Sequence, residues 1–369
     1  MWRLSFTCRG VDLISLGTLL QRGPQPLIGL DISTSSLKLV ELQRDRSGAW
    51  TLLHWAMEPL EAGWIKDGNI DNFDEMSGAL QRLLKKSGSK AKNVAMALPT
   101  SAVITKKINL SVELIEDELE VQIESEAAQY IPFPLSEVSL DFGVIGPSAN
   151  LPGFVEVLLV AARKEMVSDR QGLAEAAGLV PVVLDVESFA SRLAAARATE
   201  ALPNQGRNML VALFELGSQH SNLQVIRNEE TIFERDQNFG GAQLTQLLSR
   251  HYGISEAEAE SSKRAGTLPP DFRQAVLAPY LDHLGQDIAR ALVFFFTSTP
   301  HNKVDHVLLS GGAAALPGLD VAVMGQTSFP CKVVNPFDGM ALAPSASQAM
   351  QQGTSYLVAT GLAMRRYTP

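Results

Sequence analysis

The sequence predicts an α/β fold of two related lobes, with a smaller subdomain inserted into the first. Two strand–turn–strand segments lie about half a chain apart, at residues 27–42 and 208–226. Amphipathic helices follow each of these hairpins. A helix with an acidic face, flanked by strand-like runs, interrupts the first half of the chain. We therefore expect two similar lobes that face one cleft.

The two hairpins share one design. The first reads LIGLDISTSSLKLVEL and the second reads NMLVALFELGSQHSNLQVI. Each has an alternating apolar run, a small polar turn and a second apolar run. Each also carries an acidic residue near the end of its first strand, Asp31 in one and Glu215 in the other. This pairing indicates an architectural duplication.

The spacing of apolar residues predicts the helices that follow the hairpins. They are expected at residues 73–86, ending near Gly88, at 240–252, closed by Gly253, at 255–265 and at about 274–298. The segment HVLLSGGAAALPGL then predicts a strand, a glycine turn and the start of another helix.

The inserted segment has a different character. A strand-like run at 102–110 precedes a predicted helix at 111–131, for which Ser111 is the expected N-cap. Two strands, VSLDFGVI and FVEVLLVAA, and a helix through Arg170 to Ala177 complete a βαββα pattern. One face of the acidic helix is expected to be apolar, with Ile115, Leu119, Ile123 and Ala127.

These patterns divide the chain into six predicted parts. They are a leader or short surface helix at 1–26, the first part of lobe 1 at 27–97, the inserted subdomain at 98–185, a return to lobe 1 at 186–207, lobe 2 at 208–334 and a C-terminal return to lobe 1 at 335–369. The leader is open to three interpretations: a helix touching a membrane or partner, a poorly ordered tail, or an over-extended start site.

Composition excludes several classes of protein. The formal net charge of −9 argues against a nucleic-acid binder, which needs a concentrated basic face. Two cysteines, Cys8 and Cys331, give neither a disulfide framework nor a zinc pattern, which favours a reducing cytoplasm. The uncharged stretch 339–364 contains Pro344 and several Ser and Gln residues, so it is not expected to span a membrane. The N-terminus lacks the pattern of a secretory signal.

The hairpin turns carry the candidate phosphate-binding residues. Small residues let a backbone approach a phosphate group, and successive amides can point into one space. ISTSS at 32–36 and GSQHS at 217–221 suit that role. Lys38 could reach a phosphate oxygen, and a carboxylate at the strand end could hold Mg²⁺ through water.

Two further motifs in the second half complete the candidate site. SGGAAALPG at 310–318 is a glycine turn against which a flat base could lie. Glu260 and Lys263 lie three residues apart on one predicted helix face, where both could reach a ribose or simply form a surface ion pair.

Taken in order, these elements resemble the actin-like ATPase superfamily, whose two-lobed fold is ribonuclease H-like. Within it the chain resembles the type IV pilus assembly PilM family and, more distantly, the cell-division protein FtsA. The motifs that carry the closer resemblance are GLDISTSSLKLVEL, YIPFPLSEVSLDF at 130–142, the FGG of 239–241, NPFDGM at 335–340 and the ending ATGLAMRR. The resemblance covers about residues 27–366 and implies an inserted subdomain of the FtsA/PilM type and a nucleotide-binding lobe 2.

The resemblance implies ATP and Mg²⁺ as cofactors and assigns roles by position. Phosphate and metal would be bound by Asp31, Ser33, Thr34, Ser35, Ser36 and Lys38. The second phosphate clamp would be Gly217, Ser218 and Gln219, with Gly240 and Gly241 beside it. Glu260 and Lys263 would hold the ribose, and Gly311, Gly312 and Ala313 the adenine. Glu215 would be a second metal residue, and Glu187 would position the attacking water as a general base.

The second hairpin departs from the family pattern. Asp-Ile-Gly is expected where this chain has Glu215-Leu216-Gly217, and glutamate is longer by one C–C bond, about 1.5 Å. Magnesium tolerates little misplacement, with ligands at ~2.0–2.1 Å. Gln219 and His220 also replace smaller residues. These changes predict reduced hydrolysis with binding retained.

The resemblance implies a nucleotide-binding scaffold rather than a metabolic enzyme. Its inserted subdomain and first lobe would form a groove for the short cytoplasmic N-terminal tail of PilN, an apolar and proline-containing peptide. The protein would be cytoplasmic, recruited to the inner face of the inner membrane through that partner, and would link the alignment complex to the pilus motor. Two alternatives remain open: a phosphotransferase of the same superfamily and an FtsA-like membrane-associated filament protein.

Overall fold

The computed structural model describes residues 25–114, 116–148 and 150–368. The leader predicted at 1–26 falls outside these residues except for its last two positions. Contacts divide the chain into two units, the first comprising Met1–Ala190, Gly339–Ser347 and Val358–Pro369, the second Ser191–Asp338 and Gln348–Leu357. Each unit has its own sheet and its own apolar core.

The elements are numbered in chain order. The strands are β1 (Leu27–Ser33), β2 (Ser36–Arg44), β3 (Trp50–Pro59), β4 (Ile65–Lys66), β5 (Asn69–Ile70), β6 (Asn93–Leu98), β7 (Val103–Ser111), β8 (Val138–Pro147), β9 (Phe154–Arg163), β10 (Val180–Val186), β11 (Val211–Leu216), β12 (Ser221–Arg227), β13 (Glu230–Gln237), β14 (His306–Ser310), β15 (Cys331–Val333) and β16 (Ala341–Leu342). The helices are α1 (Phe73–Ser87), α2 (Glu116–Tyr130), α3 (Lys164–Ala176), α4 (Glu187–Glu200), α5 (Ala242–Tyr252), α6 (Glu256–Ala265), α7 (Ala278–Ser298), α8 (Leu319–Thr327) and α9 (Leu357–Met364).

The first unit is built on a six-stranded sheet in the order β10-β6-β1-β2-β3-β16. β1, β2 and β3 form an antiparallel meander, while β6 runs parallel to β1 and β10 parallel to β6. The core against one face of the sheet includes Leu80 and Leu83 of α1 and Leu173 of α3. Gly88 ends α1 in the left-handed conformation, with φ of 68°, as the sequence predicts.

Helix α9 lies very close to the backbone of β1 and of α4. A Cβ atom at Gly29 would lie 2.1 Å from the carbonyl oxygen of Ala359, and one at Gly361 would lie 1.8 Å from that of Ala190. Both distances are far shorter than a real contact, so glycine is required at both positions. This packing is the physical reason for the glycine in the terminal motif ATGLAMRR.

The inserted subdomain has the predicted βαββα order. Its three antiparallel strands pair in the order β7-β9-β8, with Ile123 and Ala127 of α2 buried in the core. Ile115 and the side chain of Leu119, expected on the same helix face, fall outside the described part of the chain.

The predicted N-cap of α2 is wrong. Ser111 is the last residue of β7, where it is paired with Phe154. Its hydroxyl accepts a hydrogen bond from the amide of Glu113 at 3.2 Å, in a turn that precedes the helix. Strand pairing therefore continues through Ser111, and α2 begins at Glu116.

The second unit contains a five-stranded sheet in the order β13-β12-β11-β14-β15. Phe214 of β11 and Tyr280 and Phe295 of α7 are among the largest side chains in its core. A π-helical turn at Arg273–Leu277 leads into α7, so the long helix predicted from about residue 274 has an irregular first turn. α6 begins with a capping box formed by Ser255 and Glu258.

The boundaries of the two units differ from those of the six parts predicted from the sequence. Returns to lobe 1 were expected at 186–207 and 335–369, whereas the second unit includes residues 191–207, 335–338 and 348–357. Arg197 holds this part of the second unit together, because its guanidinium donates to the carbonyl oxygens of Pro336 and Asp338 at 2.7 and 2.8 Å.

A helix that spans a membrane needs about 20 mostly apolar residues. Over residues 25–114, 116–148 and 150–368, no helix is both long and apolar enough to cross a bilayer.

Candidate functional site

The turn of the first hairpin is organised by a buried ion pair. Lys38 lies directly across from Asp31 in the β1–β2 pairing, and its Nζ is 2.8 Å from Oδ2 of Asp31. The same Nζ donates to the hydroxyl of Ser33 at 2.8 Å. The hydroxyl of Ser33 in turn donates to the carbonyl oxygen of Ser36 at 2.9 Å. These bonds fix the strand ends on either side of the turn residues Thr34 and Ser35.

This arrangement places a cation beside the serine-rich turn. A lysine ammonium has three N–H donors, and two acceptors of the described structure engage Lys38. A third donor is therefore available to an oxygen of a phosphate group. Asp31 meanwhile has one oxygen engaged by the lysine, so any cation at Asp31 would share the carboxylate with Lys38.

Glu187, the predicted general base, is the first residue of α4 and is half-buried. Glu187 directly follows strand β10. In that strand the side chain of Asp185 is fully buried, and its Oδ2 lies 2.5 Å from Nε of Arg365. The amide of Ser188 donates to the hydroxyl of Thr100 at 3.2 Å, which fixes the first turn of α4.

Arg170 of α3 is a charged residue near these carboxylates that the sequence analysis did not assign to the site. It is 1% exposed, and its Nη2 donates to the carbonyl oxygen of Gly68 at 2.9 Å. Burial lowers the pKa of Arg170, while the nearby charges of Glu187, Asp169 and Asp31 act in the opposite direction. Its Nε has no hydrogen-bond partner among the described residues.

The turn of the second hairpin is held from behind by the glycine loop before α5. The amide of Gly241 donates to the carbonyl oxygen of Gly217 at 2.9 Å, and that of Ala242 donates to the carbonyl oxygen of Ser218 at 2.8 Å. A Cβ at Gly240 would lie 2.4 Å from the carbonyl oxygen of Ser218. The loop therefore needs glycine at 240 to approach the turn.

With the turn's carbonyl groups directed to that loop, its amides remain available. In the part of the chain that the structure describes, no backbone carbonyl group accepts a hydrogen bond from the amide of Ser218 or Gln219. The first turn of α5, which begins at Ala242, lies beside them. Amides of a turn together with a helix N-terminus form a suitable environment for an anion.

Glu260 and Lys263 are joined to the start of α5 through Thr245. The hydroxyl of Thr245 donates to Oε2 of Glu260 at 2.7 Å, and Nζ of Lys263 lies 2.5 Å from the same oxygen. Lys263 also contacts the Thr245 hydroxyl at 2.8 Å. Partial burial by itself would raise the pKa of Glu260, but the hydrogen bonds from Lys263 and Thr245 lower it to about 2.

The strand–turn at Ser310–Gly312 lies beside the end of β11, in the second hairpin. Gly311 has φ of +93°, and a Cβ there would lie 2.3 Å from the carbonyl oxygen of Leu216. Its amide donates to the carbonyl oxygen of Thr354 at 2.8 Å. Ala313 packs into the core, so it can offer a ligand only its backbone, while Gly312 is exposed. The structure thus brings together the three glycine motifs of the second unit.

Glu215, the proposed second metal residue, lies in β11 opposite Asn222 and beside Ser310, and is half-buried. In the described residues, no group of three or more His, Cys, Asp or Glu side chains is arranged to hold a metal ion. The hydrogen-bond donors of the two hairpin turns suit an anionic group such as a phosphate.

A separate cavity of about 500 Å³ lies in the first unit. Its walls come from the β4–β5 turn, the segment before β7, the end of α2 and the junction of β9 and α3. The apolar lining includes Ile104, Ile131, Phe133, Val138 and Met166, and the charged lining is Asp67, Arg163 and Glu165. The guanidinium of Arg163 lies 4.0 Å from the centre of the Phe133 ring, a cation–π contact. The cavity is thus an apolar site with charges of both signs around it.

Comparison with known proteins agrees with this architecture. A solved "PilM-PilN type IV pilus biogenesis complex" is similar to this chain with a TM-score of 0.77 and 28% identity, over 95% of this chain and 100% of that one. The ethanolamine utilization protein EutJ from Carboxydothermus hydrogenoformans has a similar fold, with a TM-score of 0.57 and 17% identity over 92% of this chain and 90% of EutJ. The predicted actin-like fold is confirmed.

A family model decides the relationship. The model of the type IV pilus assembly protein PilM matches residues 29–367, which is nearly the whole chain. The range agrees with the extent of the resemblance seen in the sequence motifs. This chain therefore belongs to the type IV pilus assembly protein PilM family.

Proposed function

We propose that this chain is an ATP-binding scaffold of type IV pilus assembly, and that its first unit binds the short cytoplasmic N-terminal tail of PilN. The observation that carries the proposal is the cavity in the first unit. The structure similar to this chain at 28% identity is that of a PilM–PilN complex, which supports a PilN-type peptide as the occupant.

The chemistry of the cavity suits an apolar, proline-containing peptide. Ile104, Ile131 and Phe133 offer apolar contact area, and burying such area is the main source of affinity for a short segment. Arg163 and Glu165 can pair with charges or termini of a bound peptide. The volume of about 500 Å³ accommodates a few side chains, so the rest of the tail would lie along the surface.

ATP is the second ligand that we propose. Lys38, Ser33 and the turn 34–36 would contact phosphate in the first unit, with Asp31 near the hydrated Mg²⁺. In the second unit, the turn 217–219 with Gly240 and Gly241 would contact phosphate, chiefly through the amides of Ser218 and Gln219. Glu260 and Lys263 would contact the ribose, and the backbone of 311–313 the adenine. Bound Mg²⁺ would neutralise phosphate charge. The hydrogen-bonding arrangement around Thr245 supports the ribose assignment, because it holds both side chains in fixed positions.

Hydrolysis is expected to be weak. Glu187 would orient a water molecule, and Glu215 would take the place of an aspartate on the metal side. The longer glutamate side chain misplaces its carboxylate relative to a hydrated Mg²⁺. A scaffold needs nucleotide only to bias its conformation, which requires a difference in affinity between states rather than turnover.

In the cell, this activity would place the chain at the inner face of the inner membrane. It would be a cytoplasmic protein recruited through PilN, and it would link the alignment complex to the pilus motor. These relations extend the peptide-binding proposal and depend on it.

The decisive experiment is calorimetric titration of the purified chain with a synthetic N-terminal tail of the PilN encoded beside it, with and without Mg-ATP. Saturable binding with a Kd of about 10 μM or tighter would support the proposal, and a scrambled peptide should not bind. Absence of binding in both states would contradict the scaffold proposal and favour an enzymatic or filament role.

Two matched tryptophan substitutions locate the peptide. Ser101 is exposed and lines the cavity, so Ser101→Trp should obstruct it and weaken peptide binding at least about tenfold. Val121 of α2 is 69% exposed and does not line the cavity, so Val121→Trp should leave the affinity unchanged. Equal effects of the two substitutions would exclude the cavity as the binding site.

A further inference from the structure

Arg170 occupies an unusual position in the first unit. A guanidinium that is 1% exposed is costly to bury, and it needs hydrogen bonds and opposite charges nearby to remain there. One nitrogen is satisfied by the carbonyl oxygen of Gly68, and Nε has no partner in the described structure. The charges of Glu187, Asp169 and Asp31 lie close enough to affect it. Among the described residues, the carbonyl oxygen of Gly68 thus accepts a hydrogen bond from the buried guanidinium, and nearby negative charge offsets part of the cost of its burial.

The carbonyl group that Arg170 binds belongs to a turn that lines the cavity. Asp67 and Gly68 form the two-residue turn between β4 and β5, and both have positive φ, 48° and 80°. Asp67 and Asn69, on either side of Gly68, are cavity-lining residues. Because a turn of two residues has few ways to deform, a displacement of the Gly68 carbonyl must move both neighbours.

The same turn is packed tightly against other cavity-forming segments. A Cβ at Gly68 would lie 2.8 Å from Cγ of Pro99 and 3.8 Å from Cε of Met166. Met166 lines the cavity and lies one helical turn before Arg170 on α3. Direct contacts thus connect Arg170, the β4–β5 turn and two further cavity-forming segments, those of Pro99 and Met166.

We infer that Arg170 is the positioning residue that couples the nucleotide to the peptide cavity, through its contacts with Gly68 on one side and its proximity to Asp31 and Glu187 on the other. This inference rests on the proposed function, since Asp31 and Glu187 are the candidate phosphate-side and water-side carboxylates. A bound Mg-ATP changes the charge around these carboxylates and therefore the position at which a buried guanidinium is most stable. The unpartnered Nε gives the side chain a donor with which to respond.

The coupling is measured as a ratio of peptide affinities. Titration of the full chain with the PilN tail in the presence and absence of Mg-ATP should give Kd values that differ at least about fivefold, in the range usual for linked sites. Arg170→Lys keeps the charge but lacks the planar fork, so it cannot hold the Gly68 carbonyl and face the carboxylates in the same way. We expect the ratio to fall to about 1 in Arg170→Lys and in Arg170→Met, while the peptide still binds without nucleotide.

Arg197 supplies the matched control. It is an arginine of the second unit that also donates to backbone carbonyl oxygens, those of Pro336 and Asp338, and burial likewise lowers its pKa. Arg197→Lys should therefore disturb the local packing to a comparable extent. The ratio of peptide Kd values with and without Mg-ATP should nevertheless stay as in the unmodified chain. An unchanged ratio in both Arg170 variants would overturn the inference. So would a ratio reduced equally by the Arg197 substitution.

A measurement on the unmodified chain does not depend on whether the variants fold. Hydrogen exchange of residues 64–71, followed by mass spectrometry without peptide, should change on addition of Mg-ATP, and the absence of any change would overturn the inference. Failure of the chain to bind the peptide or Mg-ATP at all would overturn the proposed function as well. If both ligands bind but the peptide Kd is the same with and without Mg-ATP, only the coupling is overturned.

Discussion

The ammonium group of Lys38 lies 2.8 Å from Oδ2 of Asp31, and both residues are more than nine-tenths buried. Sequence reasoning assigned them to one site but gave them separate tasks, the carboxylate to Mg²⁺ and the lysine to phosphate. The structure shows that they are paired with each other across the hairpin. Any ligand at this turn must therefore interact with the pair rather than with two independent side chains.

The pair predicts a large cost for removing either partner alone. Asp31→Asn leaves a buried ammonium without its counter-charge, and Lys38→Met does the same to the carboxylate, so each should destabilise the first unit by about 3 kcal/mol. The double variant should destabilise the first unit by clearly less than the sum of the two single substitutions. Urea unfolding followed by tryptophan fluorescence measures this in the first unit, since the second contains no tryptophan.

An exposed ion pair of the same unit serves as the control. Lys107 and Glu156 lie 3.4 Å apart and are both more than 30% exposed, so Lys107→Met should change stability by less than about 0.5 kcal/mol. Additive effects in the Asp31–Lys38 cycle would show that the two charges do not interact.

The hydrogen bonds to Glu260 predict a pH-dependent contribution to stability. Its pKa in the folded chain is about 2, lowered from 4.5, so the stabilisation is fully present above about pH 4.5 and is lost as the pH falls through 2. Because Glu260 is about one-third exposed, we expect only about 1 kcal/mol. Glu260→Gln should therefore lower the midpoint of thermal unfolding at pH 7 but not at pH 2.

Circular dichroism at both pH values provides that measurement. A difference between Glu260→Gln and the unmodified chain that is the same at pH 7 and pH 2 would show that the charge of Glu260 is not the cause. Glu256, which lies in the first turn of the same helix and is exposed, is a suitable control for a general effect of removing a carboxylate.

The sequence predicted the hairpins, most helices and the βαββα insertion because these depend on local spacing. The apolar alternation of residues 27–42 and the glycines at 88 and 253 are local signals, and the corresponding elements agree. Ser111 was misassigned because its environment is set by pairing with Phe154, 43 residues away in the chain, which no local pattern contains.

The site residues that sequence reasoning missed have a similar explanation. Thr245 follows the glycine loop at a position that shows no motif of its own, and its role arises only when α5 meets α6. Arg170 reads as one more charged residue on a helix, whereas in the fold it is buried beside the β4–β5 turn. A charged residue at a position expected to face the core is the only signal that could have indicated it.

Gly240 should be essential for the second phosphate turn. A methyl group there would lie 2.4 Å from the carbonyl oxygen of Ser218 and 2.7 Å from that of Gly217, so Gly240→Ala must displace the turn whose amides are proposed to bind phosphate. We expect a loss of at least about tenfold in affinity for a fluorescent ATP analogue. Gly325→Ala, in α8 with no neighbour within 4 Å, should have no effect on that affinity. Unchanged nucleotide binding in Gly240→Ala would remove this turn from the site.

The packing of α9 predicts the strongest effect of a single added methyl group. In Gly361→Ala the new Cβ would lie 1.8 Å from the carbonyl oxygen of Ala190, and neither backbone can move without disturbing the surrounding core. We expect a destabilisation of at least about 3 kcal/mol, with Gly29→Ala similar because its Cβ would meet the backbone of α9 on the other side.

Gly172 of α3 gives the opposite expectation for the same chemical change. A Cβ there would make ordinary contact with the Phe73 ring at 3.8 Å, and its backbone is helical. Since alanine is the better helix former, Gly172→Ala should stabilise the first unit by about 0.5–1 kcal/mol. Urea unfolding followed by tryptophan fluorescence compares all three variants in the same unit. A mild effect of Gly361→Ala would mean that α9 can move away from α4, and the close approach would then not explain the glycine.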